Sequence, residues 1–162
     1  MAQAEIIIAD DALFPEVVEV HNSVFRPKQD VDHFKRHLLG HYNPLVLIAR
    51  LADAEGQGDG RPVGIWIGYE ERPGLFRHWM GAVHPDFRRE GIARQLQEAE
   101  HAWAAEHGYT AVRCEATNRQ KEYVTFAIST GFDIIGLRYE GDRADNMIVF
   151  EKSLGDDADD GL

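Results

Sequence analysis

Apolar and polar positions alternate between two periods along this chain, and the switches mark its elements. Ile6-Ile7-Ile8 is an apolar run of the length a short buried strand needs. Asp10 and Asp11 offer an N-cap to a helix through Val17, Val18 and Val20, with Pro15 tolerated in its first turn. After a loop around Asn22 to Pro27, Asp30 can cap a second helix. That helix puts Val31, Phe34 and Leu38 on one face and stops at Gly40. Leu45 to Ala49 predicts a strand, and the glycine-rich stretch from Glu55 to Gly60 a flexible turn. Val63, Ile65, Ile67 and Tyr69 alternate as the next strand. Arg72-Pro73-Gly74 turns the chain into a further strand over Leu75 to Val83.

The longest helix is predicted from about Arg89 to His107, because Ile92, Leu96, Ala99 and Trp103 recur at helical spacing and Gly108 ends the pattern. Ala111 to Ala116 reads as a strand, and Glu122 to Thr130 as a helix closed by Gly131. Phe132 to Tyr139 and Asn146 to Lys152 form a last hairpin around Gly141. The expected fold is therefore α/β: one mostly antiparallel twisted sheet of about seven strands flanked by about four helices. It occupies residues 1–154, with 155–162 as an acidic tail carrying Asp156, Asp157, Asp159 and Asp160 and expected to be disordered.

Composition narrows the function. Seventeen Lys+Arg against 28 Asp+Glu give a net charge of -11. That excludes a general nucleic-acid binder, which needs clustered cations for the phosphate backbone. One cysteine, Cys114, excludes a disulfide framework and any multi-cysteine zinc site. No apolar run approaches the roughly 20 residues that span a bilayer. Met1 to Ala9 lacks the basic and apolar regions of a secretory signal, so a cytoplasmic protein with no membrane partner is expected. His33, His37 and His41 repeat at four-residue spacing. Gly40 interrupts the helix before the third, so they read as a polar helix face and no metal is expected.

The stretch from Val83 to Arg94 carries the chemistry. It joins a strand end to the start of the longest helix, where the first amides have no intrahelical partners and the helix dipole adds partial positive charge. Such a turn suits a phosphate or pyrophosphate. Gly91 and Ala93 keep bulk out of the approach, and Arg88, Arg89 and Arg94 concentrate cations in an acidic chain.

Val83 and Pro85, then Arg88-x-x-Gly91-x-Ala93, resemble motif A of the GNAT N-acetyltransferase superfamily. Asn118, Gly131-Phe132 and Gly136 match its downstream pattern, and the element order agrees from Ile6 to Leu154. The resemblance implies an N-acetyltransferase that passes an acetyl group from acetyl-CoA directly to a primary amine in a ternary complex. It implies that the amides of Arg89, Glu90, Gly91, Ile92, Ala93 and Arg94, beside Arg88, hold the CoA pyrophosphate. The backbone of Ala82 and Val83 would pair with pantetheine and the thioester, and Asn118 would lie near the cofactor arm. Asn22, Phe25 and Arg26 fall in the loop where the family places part of its acceptor site, for a small-molecule or peptide amine. Family members often pair, which leaves a homodimer open.

The sequence departs from the family at one catalytic position. The usual tyrosine four residues before Gly-Phe is Ala127, and Tyr123 stands one helical turn earlier. A thiol of pKa near ~8.5 leaves tolerably unaided, so a dedicated acid is dispensable. A base must still take the proton of the ammonium acceptor. Glu115 on the fifth strand, Glu70 at the end of the third and His78 in mid-strand before Val83 are the candidates, with a water relay to a more distant acid as an equal alternative. Three other readings remain open: an acyl-CoA sensor without catalysis, a transferase of a longer acyl group, and nucleotide binding by the same anion turn.

Overall fold

The computed structural model describes residues 3–52 and 60–155. The expected turn after Glu55 and the acidic tail fall almost wholly outside the described residues. The strands are β1 (Gln3–Ile8), β2 (Leu45–Ala52), β3 (Pro62–Arg72), β4 (Leu75–Val83), β5 (Ala111–Thr117), β6 (Asp133–Arg138) and β7 (Met147–Ser153). They form one sheet in the order β1-β2-β3-β4-β5-β7-β6. Every neighbouring pair is antiparallel except β4 and β5, which run parallel. Four α-helices flank it among the described residues: α1 (Phe14–Val24), α2 (Val31–Leu39), α3 (Ile92–Glu106) and α4 (Lys121–Ser129).

Helices cover both faces, so the central strands are apolar on both sides. In β2, Leu45, Leu47 and Ala49 enter the layer of α3 and α4, while Val46 and Ile48 enter the layer of α1 and α2. In β3, the alternating Ile65, Ile67 and Tyr69 all face α1 and α2. The positions between them are Gly64, Trp66 and Gly68. They are buried too, and the glycines leave room: a Cβ on Gly64 would meet Leu96 at 2.9 Å and Ile92 at 3.2 Å. This close approach lets α3 bury Ile92 and Leu96 almost completely. Full burial of such side chains stabilises by about 1.5–3 kcal/mol each.

The caps on α1 and α2 follow the sequence. Asp10 accepts from the Ala12 amide at 3.1 Å and opens a single 3₁₀ turn that leads into α1. Asp30 accepts from the His33 amide at 2.9 Å at the start of α2. The third helix corrects the sequence reading. It begins at Ile92 rather than near Arg89, because Arg89 (φ 64°) and Gly91 (φ 81°) turn the chain left-handed just before it.

Two irregularities in β4 set the shape of the sheet's centre. Its register against β3 jumps from Ile67↔Met80 to Gly68↔His78, which leaves Trp79 as an extra, bulged residue. Trp79 and Met80 therefore both pack toward α1 and α2. His78, by contrast, stacks on Trp66 in the other layer. Second, β4 pairs with β5 only at Leu75↔Ala111, Phe76↔Val112 and Arg77↔Arg113. Beyond those residues both strands continue without pairing to each other.

A side chain at Gly68 tests the bulge. A Cβ there would lie 2.5 Å from the Arg77 carbonyl oxygen and 2.5 Å from the Phe76 ring. Gly68→Ala is expected to cost about 1–3 kcal/mol, read as a lower urea midpoint with unchanged slope. An unchanged midpoint would show that β3 and β4 are free to move apart there.

Candidate active site

The turn after β4 is built around its own backbone. Residues Pro85–Phe87 make a 3₁₀ turn, and His84 Nδ1 accepts from the Asp86 amide at 3.1 Å. Arg88 Nε donates to the Val83 carbonyl at 3.1 Å, which folds that guanidinium back over the strand end. Gly91 occupies the N-cap of α3 and has no side chain to accept from the helix amides. The first return bond comes from the Gln95 amide to the Gly91 carbonyl at 3.1 Å. The amides of Ile92, Ala93 and Arg94 are thus left without an intrahelical acceptor, at the positive end of the helix dipole.

These amides open onto a groove of about 1070 Å³. Its wall includes Ala82, Val83, Arg88, Arg89 and Gly91 through Arg94 on the α3 side, and Arg119, Gln120 and Lys121 opposite. Trp66, Tyr123 and Phe126 line it from one layer, and Val24 and Phe25 from the other, so it runs through the gap between β4 and β5. Gly81 is needed beside it, because a Cβ there would overlap the Trp66 ring. The His84 amide donates to the Val63 carbonyl at 2.8 Å, toward β3. Successive residues in an extended strand aim their N–H groups at opposite edges, so the Val83 N–H faces the gap.

None of the base candidates is part of the groove lining. Glu115 lies on β5 beyond the last residue paired to β4, opposite in facing to the buried Cys114 and Ala116. Its Oε2 is 3.0 Å from Arg77 Nη2. Burial opposes the charge on Arg77, but the hydrogen bond and attraction of Glu115, with Tyr69 and Glu71, outweigh it and raise its pKa. Glu71, Arg113 and Glu151 extend this charged face. Glu70 is not brought to the gap. It lies across from Phe76 at the start of β4 and accepts from the Tyr109 hydroxyl at 3.1 Å. At about 3.3 Å per residue, that is some seven residues of strand away from Val83. His78 is buried, with Nδ1 3.1 Å from Glu100 Oε2.

Tyr123 does line the groove. Burial first, then Cys114 and Glu100, raise its pKa well above the usual phenol value. Burial likewise pushes the Cys114 thiol up to about 12, which makes it a packed hydrophobe rather than a nucleophile. Ala127 is buried in the core. Asn118 and Glu90 are absent from the groove lining. Asn118 instead ties β5 to the β6–β7 loop, its Nδ2 donating to the Arg143 carbonyl at 2.7 Å. Of the acceptor-loop residues only Phe25 reaches the groove. Asn22 accepts from the Gln29 amide at 2.9 Å and donates to the Gln29 carbonyl at 3.0 Å, and Arg26 donates to the Asn22 and Phe25 carbonyls. Both hold the loop between α1 and α2.

The sequence reading missed Trp66, Phe126, Arg119 and Lys121 as groove residues, and Glu100 as a buried acid. Trp66 had a signal, since a Trp between two glycines on the supposed polar parity of β3 marks a second buried face. Nothing marked Glu100, one charge on an amphipathic helix. His37 stacks on Trp79 at 3.7 Å, and His41, past the end of α2, stacks on Tyr69 at 3.6 Å with its ring centroid 5.2 Å from that of His37. Among the described residues no group of three or more His, Cys, Asp or Glu is placed to hold a metal, and no helix is long and apolar enough to cross a membrane.

Comparison with known proteins agrees with this geometry. The family model described as an acetyltransferase (GNAT) domain matches residues 46–133, more than half of the chain. The chain therefore belongs to the GNAT acetyltransferase family. The fold is shared with the ribosomal-protein-S18-alanine N-acetyltransferase from Escherichia coli, at 15% identity and TM-score 0.75 over 94% of each chain. It is shared with Ard1 from Thermoplasma volcanium, at 18% identity and TM-score 0.72 over 93% of this chain and 97% of that one. A third structure, yncA from Salmonella typhimurium with its cofactor acetyl-CoA, aligns at 18% identity and TM-score 0.70 over 94% of this chain and 95% of that one. No curated protein matches the sequence.

The buried polar cluster under the groove has a pH signature. Burial lowers the His101 imidazole from 6.5 to about 4 against the pull of Glu100. The unfolded chain binds this proton below 6.5 and the folded chain only below about 4. Stability from this group is full above the unfolded value and falls as pH drops through the window, by at most about 1.4 kcal/mol per pH unit. His101→Phe, which keeps a ring against Phe132, is expected to flatten the decline between about pH 6.5 and 5 in urea titrations. An equal decline in both proteins would place the proton uptake elsewhere.

Proposed function

We propose that this protein transfers an acetyl group from acetyl-CoA to a primary amine by direct attack in a ternary complex. The observation that carries the proposal is the divergence of β4 from β5 next to an uncapped helix N-terminus. Open strand edges offer backbone donors and acceptors to an amide-bearing arm, and the helix amides offer an anion site at its end. The groove residues fit CoA in both respects. Arg89 and Arg94 stand beside the free amides, and Trp66 and Phe126 form an apolar wall.

In this reading the amides of Ile92, Ala93 and Arg94 hold the pyrophosphate. The backbone of Val83, with that of Gly81 on the same strand edge, aligns the pantetheine arm, while the Ala82 backbone is turned to β3. The Val83 N–H donates to the thioester carbonyl and stabilises the oxyanion that forms when the amine adds to it. Glu115, directly or through a water, takes the proton that the ammonium must lose before its nitrogen can attack. The carbon–sulfur bond then breaks and the acetyl group stays on the amine nitrogen. The thiolate leaves without a dedicated acid, since a thiol of pKa ~8.5 departs tolerably unaided and the usual tyrosine position is the buried Ala127. The acceptor approaches from the layer of α1 and α2, past Phe25, Trp79 and Met80.

Calorimetry with acetyl-CoA tests the binding half. Absence of binding at millimolar cofactor would sink the proposal. Gly91→Val forces a β-branched residue into φ 81° at the N-cap, and should weaken CoA binding at least about tenfold while the fold survives. Glu115→Gln tests the chemical half. It should lower kcat by about 10²–10⁴ with CoA affinity retained, measured by thiol release with an amine panel. A kcat near wild type would move the base elsewhere.

A further inference from the structure

We infer that His78, held by Glu100, is a positioning residue for the groove: it sets the Trp66 indole that walls the groove beside Gly81. The inference rests on the acetyl-CoA reading of that groove. Trp66 is part of the lining, yet it is only 3% exposed and its Nε1 has no hydrogen-bond partner. A buried indole N–H usually finds one. Here no hydrogen bond orients the ring, so packing must. Three neighbours supply it. Gly81 lies directly opposite Trp66 in the β3–β4 register, and a Cβ there would come 2.3 Å from the ring, so the indole crosses β4 at that residue. The Phe126 ring stands edge-on at 6.2 Å. The His78 imidazole stacks on the indole at 4.3 Å and 28°.

His78 is buried and absent from the groove lining, so it acts on a ligand only through Trp66. Its own placement comes from one bond. Nδ1 lies 3.1 Å from Glu100 Oε2, while Nε2 has no partner. Glu100 reaches it from the middle of α3, the helix whose first amides form the anion site, and is itself buried. A buried acid–imidazole pair adds little stability over an apolar pair of the same volume, because both groups give up water. What it adds is direction: the hydrogen bond fixes the imidazole plane, and the plane backs the indole. With no ring behind it, the indole falls back into the vacated space. The groove wall then opens beside Gly81, whose backbone shares the strand edge with Val83.

Two double variants separate position from stability. His78→Phe with Glu100→Leu keeps a ring behind Trp66, and His78→Leu with Glu100→Leu does not. Both replace the polar pair by apolar groups, so both should keep the urea midpoint near or above that of the wild type. Calorimetry with acetyl-CoA is expected to give the first pair a Kd within about threefold of wild type and the second a Kd weaker by about tenfold or more, from lost apolar contact. A second measurement needs no variant. The His78 ring protons should shift in the NMR spectrum as acetyl-CoA is titrated into the wild type, because the indole's ring current reports its position to a residue that the ligand does not touch. Equal affinities in the two double variants, or His78 signals indifferent to saturating acetyl-CoA, would overturn the inference and leave the acetyltransferase reading standing. Absence of acetyl-CoA binding by the wild type would overturn both.

Discussion

The short pairing between β4 and β5 is the constraint on which the site depends. Three residue pairs hold the strands parallel, and after Arg77 and Arg113 they separate. β4 cannot follow β5, because β3 holds its other edge as far as Val83. The β4 bulge at Trp79 and the Trp66 ring over Gly81 set its path. On the far side, Tyr123 and Phe126 of α4 fill the space beside the gap. Unpaired backbone groups in a closed core would be costly. They are tolerated here because the gap opens into a groove where solvent or an amide-bearing ligand meets them. The parallel pair also needs a crossover. That crossover is α3, and its N-terminus is delivered to the mouth of the same gap.

Charge is organised on the same plan. The chain carries a net -11, yet the groove mouth gathers Arg88, Arg89, Arg94, Arg119 and Lys121. Two of these cations are tethered. Arg88 is folded onto the Val83 carbonyl, and Arg119 lies 2.6 Å from Asp145. The remainder face the groove beside the helix amides, so a local positive field sits within an acidic body. On the opposite side of the sheet Arg77 and Arg113 are ion-paired with Glu71, Glu115 and Glu151, three acids to two cations. The two sides of the sheet thus differ in charge, with unpaired helix amides and arginines toward α3 and an acid-rich ion-pair network on the other face.

The order of elements, the caps at Asp10 and Asp30, the stripe of α3 and the turn at Gly91 were all legible in the chain, and so was membership of an acetyl-CoA-using family. These are local properties. Hydrophobic period, capping groups and the need for glycine at positive φ act within a few residues, so a linear pattern records them. Which acid stands at the gap was not legible. Glu70, Glu115 and His78 look alike as strand residues near a turn. Their separation comes from strand register, which sends Glu70 to the far end against Tyr109, buries His78 with Glu100, and pairs Glu115 with Arg77. Asn118 and Asn22 show the same limit, since each spends its amide on a loop that only the folded chain brings near. The bulges at Trp79 and Ile135, which reassign side chains between faces, depend on the neighbouring strand and leave no periodic trace. The sequence by itself determined the elements and the anion turn. Tertiary structure alone decided which side chains share the gap, because register and burial are set by contacts between residues far apart in the chain.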